Sequence, residues 1–538
     1  MFLQEGNRLI FRYDAEKLFI EPWGADAFRV RATKLAQMPT ETWALEEEVA
    51  DSKASIDIKD DVATITNGNI KAVVSKYGKI MMYNVSNGKL LLEEYARHRK
   101  DLLDPKCSSL DIEAREFAPI PGTANYRLSL RLESLDANER LYGMGQYQMP
   151  YLNLKGLDLE LAHRNSQASV PFLLSSLGYG ILWNNPGVGR ATFGKHVTTF
   201  EAYSTTVLDY WIVASEKGYP SDLLSTYASV TGHVPMMPEY GLGFWQCKLR
   251  YQNQEELLKV AREYKRRGLP LDVIVCDFFH WELQGDWSFD LTFWPDPDAM
   301  VKELKEMNVE LMVSIWPTVD KRCQHYDEML AKGLLIRTDR GVRDALNIGM
   351  GETVHFDATN PESREFVWAK AKQNYYDKGI KLFWLDEAEP EYSVYDFDNY
   401  RYHLGSNLSI GNVYPKCYAQ AFYDGMTDAG QKNVVNLLRC AWAGSQKFGA
   451  LVWSGDIASS WGVFRCQLAA GLNMGLAGIP VSIFWQTSDP HSTDTVCTVV
   501  DNRHRRLPRR RSQRREIQRA FRPLVPMGRL LSCNETPW

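Results

Sequence analysis

Between Glu255 and Asp386, apolar runs of strand length alternate with stretches of helical period, and this alternation constrains the fold more than any other part of the chain. Glu255 to Arg267 carries Leu257, Leu258, Ala261 and Tyr264 at helical spacing and stops at Gly268-Leu269-Pro270. Leu271 to Asp277 then reads as a buried strand, Asp298 to Met307 as a helix, Glu310 to Trp316 as a strand, Glu362 to Asp377 as a helix and Ile380 to Asp386 as the next strand. Such alternation predicts a parallel sheet, because parallel neighbours need a crossover helix between them. Closing that sheet into a (β/α)8 barrel gathers the strand ends at one mouth, where Asp277, Trp316, Asp386 and, from a later apolar run, Asp456 stand.

Upstream the period is two. Asp61 to Thr66, Ile70 to Val74, Tyr126 to Leu132, Gly178 to Trp183 and Thr206 to Val213 are short alternating runs between Gly, Asn and Asp turns. Many short strands with polar turns predict a β-sandwich. The Pro-bearing stretch Val234 to Pro238 is the natural boundary, giving an N-terminal β-sandwich over 1–235, a barrel over 236–480 and a separate tail over 481–538. A length of 538 residues suits two or three domains, and 45% hydrophobic with 24% charged residues describes a globular chain. The net charge of -5 gives no general affinity for nucleic acid or anionic membrane. With no apolar h-region at Met1-Phe2-Leu3, no apolar run long enough to span a membrane, and nine Cys without CxxC pairs, a cytoplasmic location is expected, with a homo-oligomer possible.

Two segments carry the chemistry. Lys381-Leu-Phe-Trp-Leu-Asp386 ends an apolar run on a carboxylate and continues through Glu387, Glu389 and Glu391, and Leu451-Val-Trp-Ser-Gly-Asp456 repeats the pattern. Two acids at strand ends, each near an indole, are what cleavage of a glycosidic bond requires, one as nucleophile and one as acid/base. Asp386 is the candidate nucleophile, the bland alternative being a helix cap, and Trp384 is expected on its side of the strand. Asp456 is the candidate acid/base, the alternative being a turn residue, with Trp453 and Trp461 expected as an apolar wall that raises its pKa. Asp277 reads as a hydroxyl binder or a helix cap, Arg439 as a partner of a hydroxyl or carboxylate or a structural ion pair, and Glu389 and Glu391 as orienting or solvated groups. Asp357, before Asn360-Pro361, reads as a structural turn and cap. No phosphate loop, nucleophile elbow or zinc motif competes, and no metal or organic cofactor is expected.

These two segments, the strand ending at Asp277, and Tyr142-Gly-Met-Gly-Gln-Tyr147 resemble glycoside hydrolase family 31. The resemblance runs to Pro480 and implies a galactose-mutarotase-like β-sandwich joined to a (β/α)8 barrel that cleaves α-glycosides with retention. It makes Asp386 the nucleophile and Asp456 the acid/base, with Asp277, Trp281, Trp316, Trp384, Glu389, Arg439 and Trp453 lining the site for an oligosaccharide or α-glycoside. Trp-Leu-Asp-x-x-Glu-Pro is most similar to α-xylosidases, with α-glucosidases, α-galactosidases and α-glucan lyases as alternatives. Phe278 and Phe279, after Asp277, are expected to fill the space of a hydroxymethyl group and so favour xylose.

After Gly478-Ile479-Pro480 the resemblance stops, and residues 503–529 hold eleven Arg. A basic tail that binds nucleic acid is one explanation. A genetic explanation accounts for more. Val481-Ser482 permits an intron 5′ signal and Cys497-Thr498-Val499 a 3′ signal. Removing the segment between them permits Trp-Trp-Thr after Pro480, and the shifted frame turns the Arg clusters into Gly-Gly pairs, the continuation that the family shows. On this reading 481–538 is a retained-intron and frameshift product. The barrel is then incomplete at its C-terminal end with exposed edges, and the 538-residue chain is insoluble or inactive.

Overall fold

Alternation of apolar and polar residues builds the first half of the chain. The computed structural model describes residues 1–47, 54–340, 351–392, 394–458 and 460–479, with 481–487 and 494–501 described as strand backbone. An eight-stranded antiparallel sheet runs in the order Phe2–Glu5, Arg8–Tyr13, Glu16–Pro22, Ala27–Thr33, Leu208–Ala214, Tyr179–Trp183, Ala168–Ser175, Leu141–Gln146. A five-stranded sheet (Arg115–Pro119, Tyr126–Glu133, Val197–Thr205, Gly189–Phe193, Asp158–Leu161) and a meander from Ser55–Ile58 to Leu90–Glu93 complete the region. Ala63, Ile65, Ile70, Ala72 and Val74 alternate inward from the meander and share one core with Phe28, Val30 and Ile212 of the large sheet and Leu128 and Leu130 of the second.

The other face of the large sheet is covered too. Val170, Phe172, Trp211 and Val213 pack in a second cluster with Tyr227 and with Met474, Ala477 and Ile479 from the barrel region. Burial on both faces explains why Ala168–Ser175 is buried throughout instead of alternating. Tyr227 belongs to a helix, Pro220–Thr231, inside the stretch expected to be β; Pro in its first turn and Leu223, Tyr227 and Val230 at helical spacing account for it.

Eight strands form the ring: β1 (Trp245–Lys248), β2 (Val273–Cys276), β3 (Glu310–Ile315), β4 (Leu382–Leu385), β5 (Asn436–Leu438), β6 (Ala450–Trp453), β7 (Val481–Thr487) and β8 (Asp494–Asp501). Within β2, Val273 and Val275 point into the barrel with Met312, Trp384, Leu437, Leu451 and Trp453, whereas Ile274 and Cys276 face the helical layer. The helices start where short polar side chains satisfy free backbone N–H groups: Asn253 accepts from Glu256 N, Asp296 from Ala299 N and Asn360 from Glu362 N. Asn360 is therefore the cap that the sequence suggested at Asp357. Asp357 instead accepts from Thr359 N and from His403 N, pinning a later loop.

From β1 to β7 the neighbours are parallel, but β8 pairs antiparallel with both β7 and β1. The repeat thus stops short of an eighth parallel strand, as a shortened barrel implies. The expected open edge is corrected. Val481–Thr487 and Asp494–Asp501, rich in Val, Ile and Thr, form a pair that satisfies the backbone groups of β6 and β1. The Arg-rich part of the tail lies outside the described residues. No described helix is long and apolar enough to cross a membrane.

Candidate active site

β4 delivers the first acid. The backbone N–H of Asp386 donates to Ile315 O at 3.0 Å, carrying the parallel ladder one step past the strand, and the chain then turns through Glu387 at φ +48. That turn aims Glu387 N at Asp386 Oδ1 (2.8 Å), while the indole N–H of Trp316, beyond β3, donates to Oδ2 at 3.0 Å. Asp386 therefore caps no helix. Burial lifts its pKa to about 6; the nearby Arg439 charge opposes the shift and Asp456 adds to it. Asp277, at the end of β2, is also buried, and its carboxyl accepts from Phe278 N. Burial, followed by the charge of Asp386, holds Asp277 well above the usual carboxylate range.

Arg439, directly after β5, organises the centre. Its guanidinium forms a fork onto Glu389 (2.9 and 3.0 Å), bonds Glu391, and stands 3.5 Å from Asp386 and 3.6 Å from Asp456. Burial alone would weaken its charge, but this ring of carboxylates holds its pKa well above the ordinary value. Glu389 and Glu391 are thereby engaged with a buried cation and do not stand free in solvent. Glu387 is held well above the ordinary glutamate range, chiefly by burial.

The second acid lies in a different setting. Asp456 sits on the loop after β6 with 66% of its side chain exposed, and Trp461, at the start of the next helix, is itself 61% exposed. The expected apolar wall of Trp453 and Trp461 is therefore corrected. Trp453 is buried inside the barrel, edge-on to Trp384 at 5.1 Å between centroids, because β6 ends there and Ser454-Gly455 carries the chain outward. Asp456 is instead held by Asn165: the Asn165 amide donates to Oδ2 at 2.6 Å, and Asp456 N donates to Asn165 Oδ1 at 3.1 Å.

An aromatic wall closes the Asp277 side. Trp316 stands 5.1 Å from Phe278, 5.9 Å from Phe279 and 5.7 Å from Trp281, ring centre to ring centre, and Phe279 adopts φ +58. Trp384 lies lower, in the interior layer; the indole that reaches Asp386 is that of Trp316. The structure thus brings Asp277, Trp281, Trp316, Asp386, Glu389, Arg439 and Asp456 to one mouth, with Trp384 and Trp453 as its floor. Sequence reasoning missed Asn165 and Ser166, which stand in a polar turn nearly three hundred residues before Asp456 and give no periodic or motif signal. Among the described residues, no group of three His, Cys, Asp or Glu side chains is placed to hold a metal ion.

Residues 234–483 match the TIM-barrel domain of glycosyl hydrolases family 31, and residues 17–189 match the glycosyl hydrolase 31 N-terminal galactose mutarotase-like domain. The chain is 52% identical over 497 residues to an uncharacterized family 31 glucosidase, ORF2, of Pseudescherichia vulneris, covering 90% of this chain and 92% of the relative. It is 32% identical over 525 residues to α-xylosidase A of Aspergillus niger, covering 89% and 69% respectively. Among solved structures, a GH31 α-xylosidase from a soil metagenome, complexed with xylose, superposes with a TM-score of 0.87 at 56% identity over 89% of this chain and 71% of that one.

Proposed function

The chain belongs to glycoside hydrolase family 31, and from that membership we propose that it is a retaining, exo-acting α-xylosidase in which Asp386 is the nucleophile and Asp456 the acid/base. The observation that carries the reaction is the convergence of both acids on Arg439, at 3.5 and 3.6 Å. Two carboxylates on one guanidinium are compatible with the roughly 5 Å spacing of a retaining pair. Asp386 attacks the anomeric carbon while the bond to the glycosidic oxygen breaks, and that oxygen takes the proton of Asp456. Water then attacks the glycosyl-enzyme, gives its proton back to Asp456 and frees Asp386.

The environments suit these roles. Trp316 and the Glu387 N–H each give one hydrogen bond to the Asp386 carboxylate, which stabilises the ionised form a nucleophile needs. Asp277, deep in the mouth, would accept hydrogen bonds from sugar hydroxyls. The choice of xylose is supported by the likeness to the soil-metagenome α-xylosidase and by the crowding of Phe278, Phe279 and Trp316 beside Asp277, which leaves little space for a hydroxymethyl group. Glu389 and Arg439 would keep the two acids apart and oriented.

The test, made on the product of the correctly spliced transcript, is turnover of aryl α-xyloside, α-glucoside and α-galactoside side by side, with proton NMR of the first-formed product. Release of α-xylose ahead of the other sugars supports the reading. An inverted anomer or an anhydro-sugar removes it, and preference for the glucoside removes the xylose assignment alone. We also propose that the residues after Pro480 derive from a retained intron and frameshift. The family match ending at residue 483 supports this, and sequencing the transcript across codons 478–502 decides it.

A further inference from the structure

Resting on the reading of Asp456 as acid/base, we propose that Asn165, contributed by the N-terminal β-region, is a positioning residue that fixes which oxygen of Asp456 carries the catalytic proton. The hydrogen bonds determine the orientation of the Asn165 amide. Asp456 N can only donate, and it meets Asn165 Oδ1 at 3.1 Å, so the NH2 group faces Asp456 Oδ2 at 2.6 Å. The same Oδ2 is also the Asp456 oxygen in ion-pair contact with the Arg439 guanidinium, at 3.6 Å. One hydrogen-bond donor and one cation therefore stand on the same oxygen. A protonated Asp456 then carries its hydrogen on Oδ1, free to be given to the leaving oxygen and, in the second step, to take one from water.

The turn that presents Asn165 is built for rigidity. Arg164 and Gln167 exchange backbone hydrogen bonds at 3.1 and 2.8 Å, closing a two-residue loop over Asn165 and Ser166, with Ser166 at φ +67. The Arg164 guanidinium is fixed by Glu160 (2.7 and 2.9 Å) and lies 4.5 Å from the Tyr395 ring centre. Ser166 Oγ donates to the Asp456 carbonyl at 3.0 Å, giving the two loops a third contact. Gly455 makes the approach possible. At φ +84, a Cβ there would sit 2.3 Å from the Ser166 Cα, so no other residue lets the loops come this close.

The experiment compares Asn165→Ala and Asn165→Asp with wild type on two substrates, an alkyl or disaccharide α-xyloside, whose leaving oxygen needs a proton, and α-xylosyl fluoride, whose leaving group does not. The Asp variant keeps the acceptor for Asp456 N and puts a second carboxylate in place of the donor, whereas the Ala variant removes donor and acceptor without adding charge. Both variants should lose about tenfold or more in kcat/KM on the alkyl substrate and less than about threefold on the fluoride. In Asn165→Asp the alkaline limb of kcat/KM should also move to higher pH, because a neighbouring carboxylate makes Asp456 hold its proton longer. Asp456→Ala is measured alongside. If it spares the fluoride while the Asn165 variants lose both substrates equally or neither, the positioning role is overturned and Asp456 keeps its own. If Asp456→Ala itself loses both equally, the acid/base assignment fails and the Asn165 proposal fails with it.

Discussion

The two acids of this mouth are held by opposite means. Asp386 is buried at the end of a barrel strand, and each of its oxygens takes a hydrogen bond from a group on its own or the adjacent barrel segment. Asp456 stands largely exposed on a loop, and the side chain at 2.6 Å from it belongs to another part of the chain. The barrel sets the charge state of the first through desolvation and fixed donors. For the second, orientation comes from contact between the two domains. The comparison teaches that a strand end is enough to place a buried carboxylate, whereas a carboxylate left open to water and substrate needs a partner from outside.

Four experiments can break or sharpen that contrast. The largest effect is expected from Asp386→Ala in the correctly spliced enzyme, which should cut turnover by at least about 10⁴-fold with the fold intact by circular dichroism. Retained activity would falsify the nucleophile assignment. Arg439→Ala should come next, costing about 3–5 kcal/mol of stability in denaturant melts, because Glu389, Glu391 and Asp386 would remain near a buried site without their counter-charge. A variant as stable as wild type would show that water reaches and screens those carboxylates. Third, kcat/KM should fall about tenfold per pH unit below about 6, since only ionised Asp386 attacks and its carboxyl titrates near there. An acid limb at pH 4 would mean that burial of Asp386 is relieved in solution.

The smallest effect concerns stability. His163, His280 and His355 are buried, and burial depresses their pKa to about 4, 4 and 3. The unfolded chain binds protons on these rings as pH falls below about 6.5, while the folded state does so only near 4 and below, so folding free energy should fall through that window. Asp277 and Asp386 act in the opposite sense, because their raised carboxyl pKa means that the folded state takes protons first. Urea midpoints at pH 7, 5.5 and 4.5 in wild type and in His355→Gln measure the balance. Identical pH dependence in the two would remove His355 from the account.

Much of this could be read from the residues because the relevant forces act locally. Leu257, Leu258 and Ala261 recur at helical spacing and are buried, so the helix found at Gln254–Arg266 was legible from Glu255 to Arg267. The strands ending near Asp277 and Asp386 were legible because a barrel strand is apolar on both faces and then breaks sharply to a charge. The helix Pro220–Thr231 was not, since its weak apolar stripe lay within a long run of alternating strands. The tryptophans were the least legible part of the site. Trp453 and Trp461 flank Asp456 in sequence, yet one turns into the barrel and the other out to solvent, while Trp316, seventy positions from Asp386, supplies the hydrogen bond.

By itself, then, the sequence determined the period of each segment and the chemical identity of the acids at the strand ends, because both depend on neighbours a few positions away. The tertiary structure alone decided which groups meet: Arg439 between four carboxylates, Trp316 on Asp386, and Asn165 on Asp456. It also decided that β8 closes the ring as an antiparallel strand. Those outcomes follow from burial and long-range pairing, whose energies depend on distance in space, and a linear chain does not carry that distance.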